Sequence, residues 1–310
     1  MVKAMHHVAL SIGNPARASS FFCSAMGFEL AELPAEDYGR DTGANTQFLR
    51  APNCYLELLC CPTGEASPGR YRPVHEAGIT HFCVQSRHAE ILHANFERAG
   101  ASFHSEPVAL GTGNTYCYAR DPEENVIEIE GIPYAPADQQ PWVAHVAFAT
   151  PDAVRLSDFY TRVVGGTKLG GQKIGPNPLY DRITALRDVE VIPFWVASLN
   201  VLIEIWQFVH PPTEVPGRPH DLGQPGYSHI CFEVDDLPAE IESFRAAGAR
   251  FGTPVVAGQG YATAWGLDPD GNVIELLELK PERASASALN LPDRDVVARM
   301  AEARRNLTGR

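Results

Sequence analysis

Four times along the chain, a short segment of alternating apolar and polar residues is followed by a segment whose apolar residues recur at helical spacing. One aligned pair consists of MHHVALSIGNPARASSFFCSAMGFEL (5–30) and VAHVAFATPDAVRLSDFYTRVVGGTKL (143–169). A second pair consists of THFCVQSRHAEILHANFERAGASF (80–103) and SHICFEVDDLPAEIESFRAAGARF (228–251). A period of two is typical of a strand, and apolar residues three and four positions apart are typical of an amphipathic helix. The pattern predicts a strand and then a helix in each of four repeats.

Each predicted helix is followed by two or three short strands, so the repeating unit is β-α-β-β-β. The helices are expected to end at glycines, since a helix C terminus favours a left-handed residue: Gly27, Gly100, Gly165 and Gly248. Proline and polar residues at 131–141 mark a boundary between two halves of two units each. We therefore predict an α+β protein with domains at 1–132 and 143–280, a linker at 133–142 and a helical tail at 281–310.

The tail combines helix-forming residues with mixed charge. We expect a helix that packs on the body of the protein or on a second subunit, which makes a homodimer one of the expected states. An equally weighted alternative is a frayed tail with one docked helix.

Composition narrows the classes of function. The chain has 310 residues, 45% of them hydrophobic, which is typical of a globular protein of enzyme size. Its formal net charge is −13, so its surface repels nucleic-acid phosphates and anionic lipid. The expected partner is therefore a small-molecule substrate, and neither nucleic acid nor a membrane.

Two further features indicate a cytoplasmic protein. The 7 cysteines are scattered, with no Cys-X-X-Cys spacing, as expected of buried thiols in a reducing compartment. The N terminus lacks the layout of a signal peptide. The most hydrophobic window, 191–209, is interrupted by Pro193, Asn200, Glu204 and Gln207. It therefore predicts sheet strands and not a membrane span.

Polar residues recur at matching places in the four units. A histidine stands in the first strand of each unit, and a glutamate stands in the otherwise apolar last strand. An ionised carboxylate among Ile, Leu and Val costs several kcal/mol unless it is paired or bound to a cation. Eight such residues in register favour metal ligation, and they are His7, Glu57, His81, Glu128, His145, Glu204, His229 and Glu275.

The ligand types limit the metal. Imidazole and carboxylate without thiolate suit a borderline or hard divalent ion, namely Zn, Ni, Co, Mn or Fe. Four protein ligands in an octahedral site leave two neighbouring positions. Those positions would suit a substrate with two adjacent oxygens.

The HVAL and HVAF segments at unit starts, and DPEENVIEIE and DPDGNVIELLEL at unit ends, resemble the vicinal oxygen chelate superfamily. That superfamily includes glyoxalase I, methylmalonyl-CoA epimerase, extradiol dioxygenases and bleomycin-resistance proteins. The resemblance covers about residues 5–280 and implies paired βαβββ modules that form a U-shaped sheet around a metal. It assigns all eight residues above as ligands, in two complete sets, one in each half: His7, Glu57, His81 and Glu128, and again His145, Glu204, His229 and Glu275. One carboxylate of a set doubles as a base, and the candidates are Glu57, Glu128, Glu204 and Glu275.

The complete sets favour a lyase or isomerase of the glyoxalase type, which uses four protein ligands. An extradiol dioxygenase is the alternative, since His145, His229 and Glu275 resemble its three-ligand arrangement. However, Trp265 stands where a dioxygenase tends to carry tyrosine, and no histidine lies between Phe251 and Trp265. A metal-free binding or resistance protein is the third alternative, and it is expected to lack these ligands.

The sequence leaves the pairing of the units open. A site forms either within one half or between units of different halves, for example from His7 and Glu57 with His229 and Glu275. Among the neighbours, Glu130 is expected at an outer rim, His6 is expected to point away from His7, and Cys83 and Cys231 are expected to be core thiols. Residues that could meet substrate are Tyr118, Tyr261 and Trp265, and on the connecting loops Arg70, Arg72 and Arg218.

Overall fold

The computed structural model describes residues 1–33, 46–61, 71–197, 199–216 and 223–308. Four β-α-β units follow one another, as the repeats predict. Unit one comprises β1 (Val2–Ile12), α1 (Pro15–Met26), β2 (Glu29–Ala31), β3 (Thr46–Arg50) and β4 (Tyr55–Cys60). Unit two comprises β5 (Gly78–Ser86), α2 (Ala89–Ala99), β6 (Ser102–Phe103), β7 (Val108–Ala109), β8 (Thr115–Arg120) and β9 (Val126–Gly131).

The second half repeats this plan with an added helix. Unit three comprises β10 (Trp142–Ala149), α3 (Ala153–Val164), β11 (Thr167–Gly170), α4 (Pro178–Thr184), β12 (Glu190–Ala197) and β13 (Leu202–His210). Unit four comprises β14 (Gly226–Val234), α5 (Leu237–Ala247), β15 (Arg250–Phe251), β16 (Val256–Gly258), β17 (Tyr261–Leu267) and β18 (Val273–Leu279). The apolar window at 191–209 forms strands β12 and β13, as predicted.

The ends of the four main helices carry strong local signals. Asn14, Asp152 and Asp236 precede α1, α3 and α5, and each side chain accepts a hydrogen bond from a backbone N–H of the first turn. Each helix then ends at a glycine in the left-handed conformation, as the sequence predicts.

The strands form two sheets, and each sheet joins units from both halves of the chain. Sheet one has the order β15-β17-β18-β14-β1-β4-β3-β2, and sheet two has the order β11-β12-β13-β10-β5-β9-β8-β6. In the middle of sheet one, β1 runs antiparallel to β14, with Val8 opposite Ile230. In the middle of sheet two, β10 runs antiparallel to β5, with Val146 opposite Phe82. Unit one therefore pairs with unit four, and unit two pairs with unit three.

The helices pair in the other way, within each half. The rings of Phe21 in α1 and Phe96 in α2 meet edge to face at 5.6 Å, and those of Phe159 in α3 and Phe244 in α5 meet at 6.0 Å. One buried apolar cluster includes residues of all four units. Since strands join across the halves and helices join within them, the two halves are interlocked.

Two asparagines, Asn53, which is buried, and Asn200, which is partly buried, connect the sheets to each other. The side chain of Asn53 donates to the carbonyl of Val143 at 2.6 Å and accepts from its N–H at 3.1 Å. The side chain of Asn200 does the same for Met5, with both distances 2.9 Å. Each side-chain amide thus provides hydrogen-bond partners for the backbone N–H and carbonyl of one strand residue in the other sheet.

The tail packs on the body of the protein. Two short 3-10 turns, Pro281–Ala286 and Ala288–Asn290, lead to helix α6 (Val296–Thr308). Leu291 packs with Phe48 and Tyr55 of sheet one, and Met300 of α6 packs with Trp142 of sheet two. Within the described ranges, no helix has both the length and the apolar composition that a bilayer span needs.

Two candidate metal centres

Centre one lies in the middle of sheet one and consists of His7, Glu57, His229 and Glu275. Its residues come from four adjacent strands, because β1 is parallel to β4 and β14 is parallel to β18. The Nε2 atoms of His7 and His229 are 3.1 Å apart. Both lie 3.2 Å from Oε2 of Glu57, and they lie 3.3 and 3.4 Å from Oε2 of Glu275. The sequence-predicted ligands of units one and four therefore converge.

The side chains of centre one are fully enclosed by the protein. All four side chains are at most 1% exposed. The Thr263 hydroxyl lies 2.6 Å from Oε1 of Glu275, which leaves Oε2 directed at the histidines. The rings of Trp265 and His229 lie 4.7 Å apart, so Trp265 packs against centre one.

His6 is turned toward His7, and the prediction that it points away was wrong. The pairing of β1 with β14 shifts register between Met5 and His7, which leaves His6 as an extra residue in a bulge. The bulge turns its side chain to the same face, where its Nδ1 lies 2.9 Å from Nδ1 of His7. Burial lowers the pKa of His6 to about 3, helped by the nearby His7, so the ring is neutral.

Centre two lies in sheet two and consists of His81, Glu128, His145 and Glu204. All four ligand atoms lie within 4.8 Å of one another. His145 Nε2 is 2.9 Å from Oε2 of Glu128 and 3.3 Å from Oε2 of Glu204. His81 Nε2 is 3.7 and 3.6 Å from the same two oxygens. The predicted ligands of units two and three therefore also converge.

This arrangement corrects the three-ligand set considered for a dioxygenase. His145 belongs to centre two, whereas His229 and Glu275 belong to centre one. The strand pairing across the halves separates them. Each centre instead has two histidines and two glutamates.

The donor atoms of centre two fit a divalent cation. Among the residues that the structure describes, Nε2 of His81 and Nε2 of His145 have no hydrogen-bond partner, although both are buried. No described lysine or arginine forms an ion pair with Glu128 or Glu204, so the cluster has no internal cation besides the imidazoles. Two carboxylates and two imidazole nitrogens around one point are typical ligands of a borderline divalent metal.

The pKa shifts in centre two follow from the close approach of buried imidazoles and carboxylates. Burial alone would lower the pKa of His81, but the nearby carboxylates of Glu128 and Glu204 outweigh it and raise the pKa. Burial alone would raise the pKa of Glu128, but His145 and His81 outweigh it and lower the pKa. A cation that displaces the imidazole protons would take over the same role of neutralising the carboxylates.

Outer hydrogen bonds orient the ligands of centre two. Trp195 donates its indole N–H to Oε1 of Glu204 at 2.8 Å. The Thr80 hydroxyl lies 3.0 Å from Nδ1 of His81 and 3.3 Å from the carbonyl of Ala147. Such partners fix the ring so that Nε2 faces the centre. Sequence reasoning missed both residues, although the pair Thr80-His81 repeats as Ser228-His229 and was a visible signal for one of them.

Behind His145 lie Cys83 and Glu130, in place of the outer rim predicted for Glu130. This carboxylate is buried and accepts from the side-chain amides of Gln85 and Asn114, each at 2.6 Å. The reason is that the loop that carries Asn114 covers this carboxylate, while the tail helix packs nearby in a cluster with Cys83 and Ile132. Burial raises the pKa of Cys83 well above its usual value, which agrees with a core thiol.

A small cavity of about 10 Å³, close to the volume that one water molecule needs, lies beside centre two. His81 and Tyr118 line it together with the rings of Trp206 and Phe208. The ligands of centre two are 4 to 10% exposed, in contrast to those of centre one. Of the aromatic candidates, Tyr118 lines this cavity, with its ring 4.8 Å from His81. Tyr261 instead packs against the tail.

Of the arginines expected to meet an anionic substrate, the structure describes Arg72. Arg72 donates to Glu76 at 2.6 Å and is 19% exposed, so its charge is already paired. Arg70 and Arg218 lie outside the described residues.

Comparisons with known proteins agree with this architecture. The Glyoxalase/Bleomycin resistance protein/Dioxygenase superfamily matches residues 4–129 and again residues 144–284. A lactoylglutathione lyase of Schizosaccharomyces pombe is 24% identical over 66% of this chain and 67% of its own length. A lactoylglutathione lyase of Pseudomonas putida is 26% identical over 47% of this chain and 90% of its own length.

Solved structures show the same fold. Glyoxalase I from Zea mays superposes with a TM-score of 0.63 at 18% identity, over 89% of this chain and 92% of the maize chain. A Bacillus subtilis protein provisionally assigned as a dioxygenase has a TM-score of 0.63 at 12% identity, over 96% of both chains. Together with the repeated units and the two sets of histidine and glutamate, these matches show that the chain belongs to the vicinal oxygen chelate superfamily, which contains the glyoxalases, bleomycin-resistance proteins and dioxygenases.

Proposed function

We propose that centre two is the active site of a divalent-metal lyase or isomerase of the glyoxalase type, which acts on a small molecule with oxygens on adjacent carbons. The observation that carries the proposal is the convergence of four candidate ligand atoms, one of which, on His81, belongs to a residue that lines a small cavity. Centre one has the same ligand types, but its side chains are at most 1% exposed. The lactoylglutathione lyases among the relatives support the reaction class.

A bound divalent cation would polarise the substrate oxygens as a Lewis acid. His81 and His145 hold their Nε2 atoms toward the centre, because Nδ1 of His81 is engaged by Thr80 and His145 is backed by Cys83. The two carboxylates supply negative charge on the same point. These four residues are the ones that would hold the metal.

Glu128 is the better base of the two carboxylates in centre two. Glu204 is anchored by the indole N–H of Trp195, whereas Glu128 is the more exposed of the pair, at 10% against 6%. In the proposed reaction, Glu128 accepts a proton from the carbon next to a carbonyl and returns it to the neighbouring carbon. The proton count is unchanged, as an isomerisation requires.

The residues around the small cavity are mostly apolar and aromatic, so an apolar part of the substrate would face them. Tyr118, Trp206 and Phe208 offer ring faces, and His81 lies in the same wall. We take the hemithioacetal of glutathione and a 2-oxoaldehyde as the test substrate, since the lactoylglutathione lyase relatives bear the name of its product.

The proposal is tested with metal-loaded protein, by following the formation of S-lactoylglutathione through its thioester absorbance. Replacement of the base in Glu128→Gln is expected to lower kcat/KM by about 10²- to 10⁴-fold. The counterpart in centre one, Glu275→Gln, is expected to keep most of the activity. Glu90→Gln, at an exposed position on α2, is the control for loss of a negative charge.

Three results would contradict the proposal. If Glu275→Gln abolishes turnover and Glu128→Gln does not, the active site is centre one. Oxygen consumption with catechols by the iron-loaded protein, without hemithioacetal turnover, would indicate a dioxygenase. Equal binding of the hemithioacetal by metal-loaded and metal-stripped protein, without turnover, would indicate a binding protein.

A further inference from the structure

We propose that His6 is a positioning residue for centre one and that a segment of the C-terminal tail holds it in place. The segment, residues 281–291, is called here the C-terminal strap. Its Ala286 carbonyl lies 2.9 Å from Nε2 of His6, and Nδ1 of His6 lies 2.9 Å from Nδ1 of His7. The tail is thereby connected to a candidate metal ligand through one imidazole ring.

The direction of these hydrogen bonds follows from the chemistry of the groups. A carbonyl oxygen can only accept, so His6 carries its proton on Nε2 and donates it to Ala286. When Nε2 of His7 binds a metal, the ring proton of His7 must lie on Nδ1, and Nδ1 of His6 is placed to accept it. This tautomer leaves the lone pair on Nε2 of His7, the atom that lies among Glu57, His229 and Glu275.

The strap is itself fixed by buried contacts. Glu233, on β14, accepts from the hydroxyl of Ser287 at 2.7 Å and from the N–H of Ala288 at 3.0 Å. Leu291 packs in a cluster with Phe48, Tyr55 and Tyr261. The Ala286 carbonyl is therefore held at one position beside the bulge of β1.

Among the residues that the structure describes, no equivalent hydrogen bonds join centre two to the strap. His145 corresponds to His7 in the repeat. The residue before His145 is Ala144, whereas the residue before His7 is His6. Its outer neighbours are Cys83 and Glu130. A change in the strap should therefore alter the metal affinity of centre one and leave that of centre two unchanged.

Metal affinity is measured by titrating Co²⁺ or Zn²⁺ against a competing chelator in the full-length chain. The background variant Glu204→Gln disables centre two, so that only centre one is measured. His6→Phe keeps a ring but removes the acceptor, and the affinity is expected to fall about 10- to 100-fold. His6→Asn places an amide oxygen near the position of Nδ1 and is expected to recover most of that loss.

The matched control is Met300→Ala in α6, which packs on Trp142 and away from centre one. It is expected to leave the affinity unchanged. By reciprocity, metal must favour docking of the strap by the same factor by which docking favours metal. Amide hydrogen exchange at 281–291 is therefore expected to slow when centre one is loaded, and this slowing should be absent in His6→Phe.

Any of three results would overturn the inference. They are an unchanged affinity in His6→Phe, an equal loss in His6→Asn and His6→Phe, or no metal at centre one in the Glu204→Gln background. None of these measurements depends on catalytic turnover. A protein without lyase activity could still confirm the role of His6, and an active lyase could still refute it.

Discussion

Removal of metal should lower the melting temperature of the whole chain, and each of the two centres should account for half of the decrease. Each centre takes two ligands from each half, for example His7 and Glu57 with His229 and Glu275. Each sheet contains strands of both halves, so unfolding of one half would disrupt both sheets. A metal that binds the native state is therefore expected to stabilise one cooperative transition.

The magnitude follows from mass action and chain length. Free metal at about 1,000 times its Kd stabilises the native state by about 4 kcal/mol per centre. The entropy of unfolding of 310 residues is about 0.65 kcal/mol/K near 60 °C. One loaded centre should then raise Tm by about 6 °C, and two should raise it by about 12 °C.

The assay is differential scanning calorimetry of metal-loaded and chelator-treated protein. Glu275→Gln and Glu204→Gln should each lose half of the shift, and the double variant should lose all of it. Glu242→Gln, whose side chain is 71% exposed on α5, should keep the full shift. A full shift in the double variant would show that metal binds elsewhere. Separate transitions for the two halves would refute the interlocked architecture.

Three further predictions address single contacts. Trp195→Phe removes the donor that anchors Glu204, and it is expected to weaken the metal affinity of centre two about tenfold in a chelator competition. Asn53→Ala leaves the backbone of Val143 without its partners and should cost about 2 to 3 kcal/mol in urea denaturation. Burial raises the pKa of Asp268 to about 6 despite its hydrogen bonds, so the native carboxyl holds a proton between about pH 4 and 6 that the unfolded chain releases. The stability that this proton provides is lost as pH rises through that window. Asp268→Asn cannot titrate there, so its free energy of unfolding should rise by roughly 3 kcal/mol relative to that of the wild type between pH 4 and pH 7, as measured by urea denaturation at each pH. A difference between the two proteins that does not depend on pH would contradict the raised pKa.

The sequence predicts the units and the ligands because both have local signals. The change from a period of two to helical spacing appears within each repeat. A glutamate in a run such as VLIEIW stands out because a buried carboxylate needs compensation. The eight candidate ligands could be found in this way, and the structure brings them together as two sets of four.

The pairing of the units could not be predicted, because it depends on contacts between distant segments. The strands that carry His81 and His229 have similar sequences, so β1 could have joined either of them. Contacts that accompany the observed pairing include Asn53 with Val143 and Asn200 with Met5, which are far apart along the chain. The position of His6 was missed for a related reason, since a bulge reverses the alternation on which the prediction rested.

The two centres are nested along the chain, and this sets the order in which they are expected to form. The hydrogen bond between Thr80 and Ala147 in sheet two closes a separation of 67 residues, whereas the contact of His7 with His229 in sheet one closes 222. Closure entropy grows with the logarithm of loop length, so the longer closure costs about 1 kcal/mol more. Once sheet two has formed, the ends of the chain are closer together, and the remaining closure of sheet one becomes less costly. The topology therefore favours a sequence in which centre two is assembled first, and centre one is completed last by the two ends of the chain and the strap that follows them.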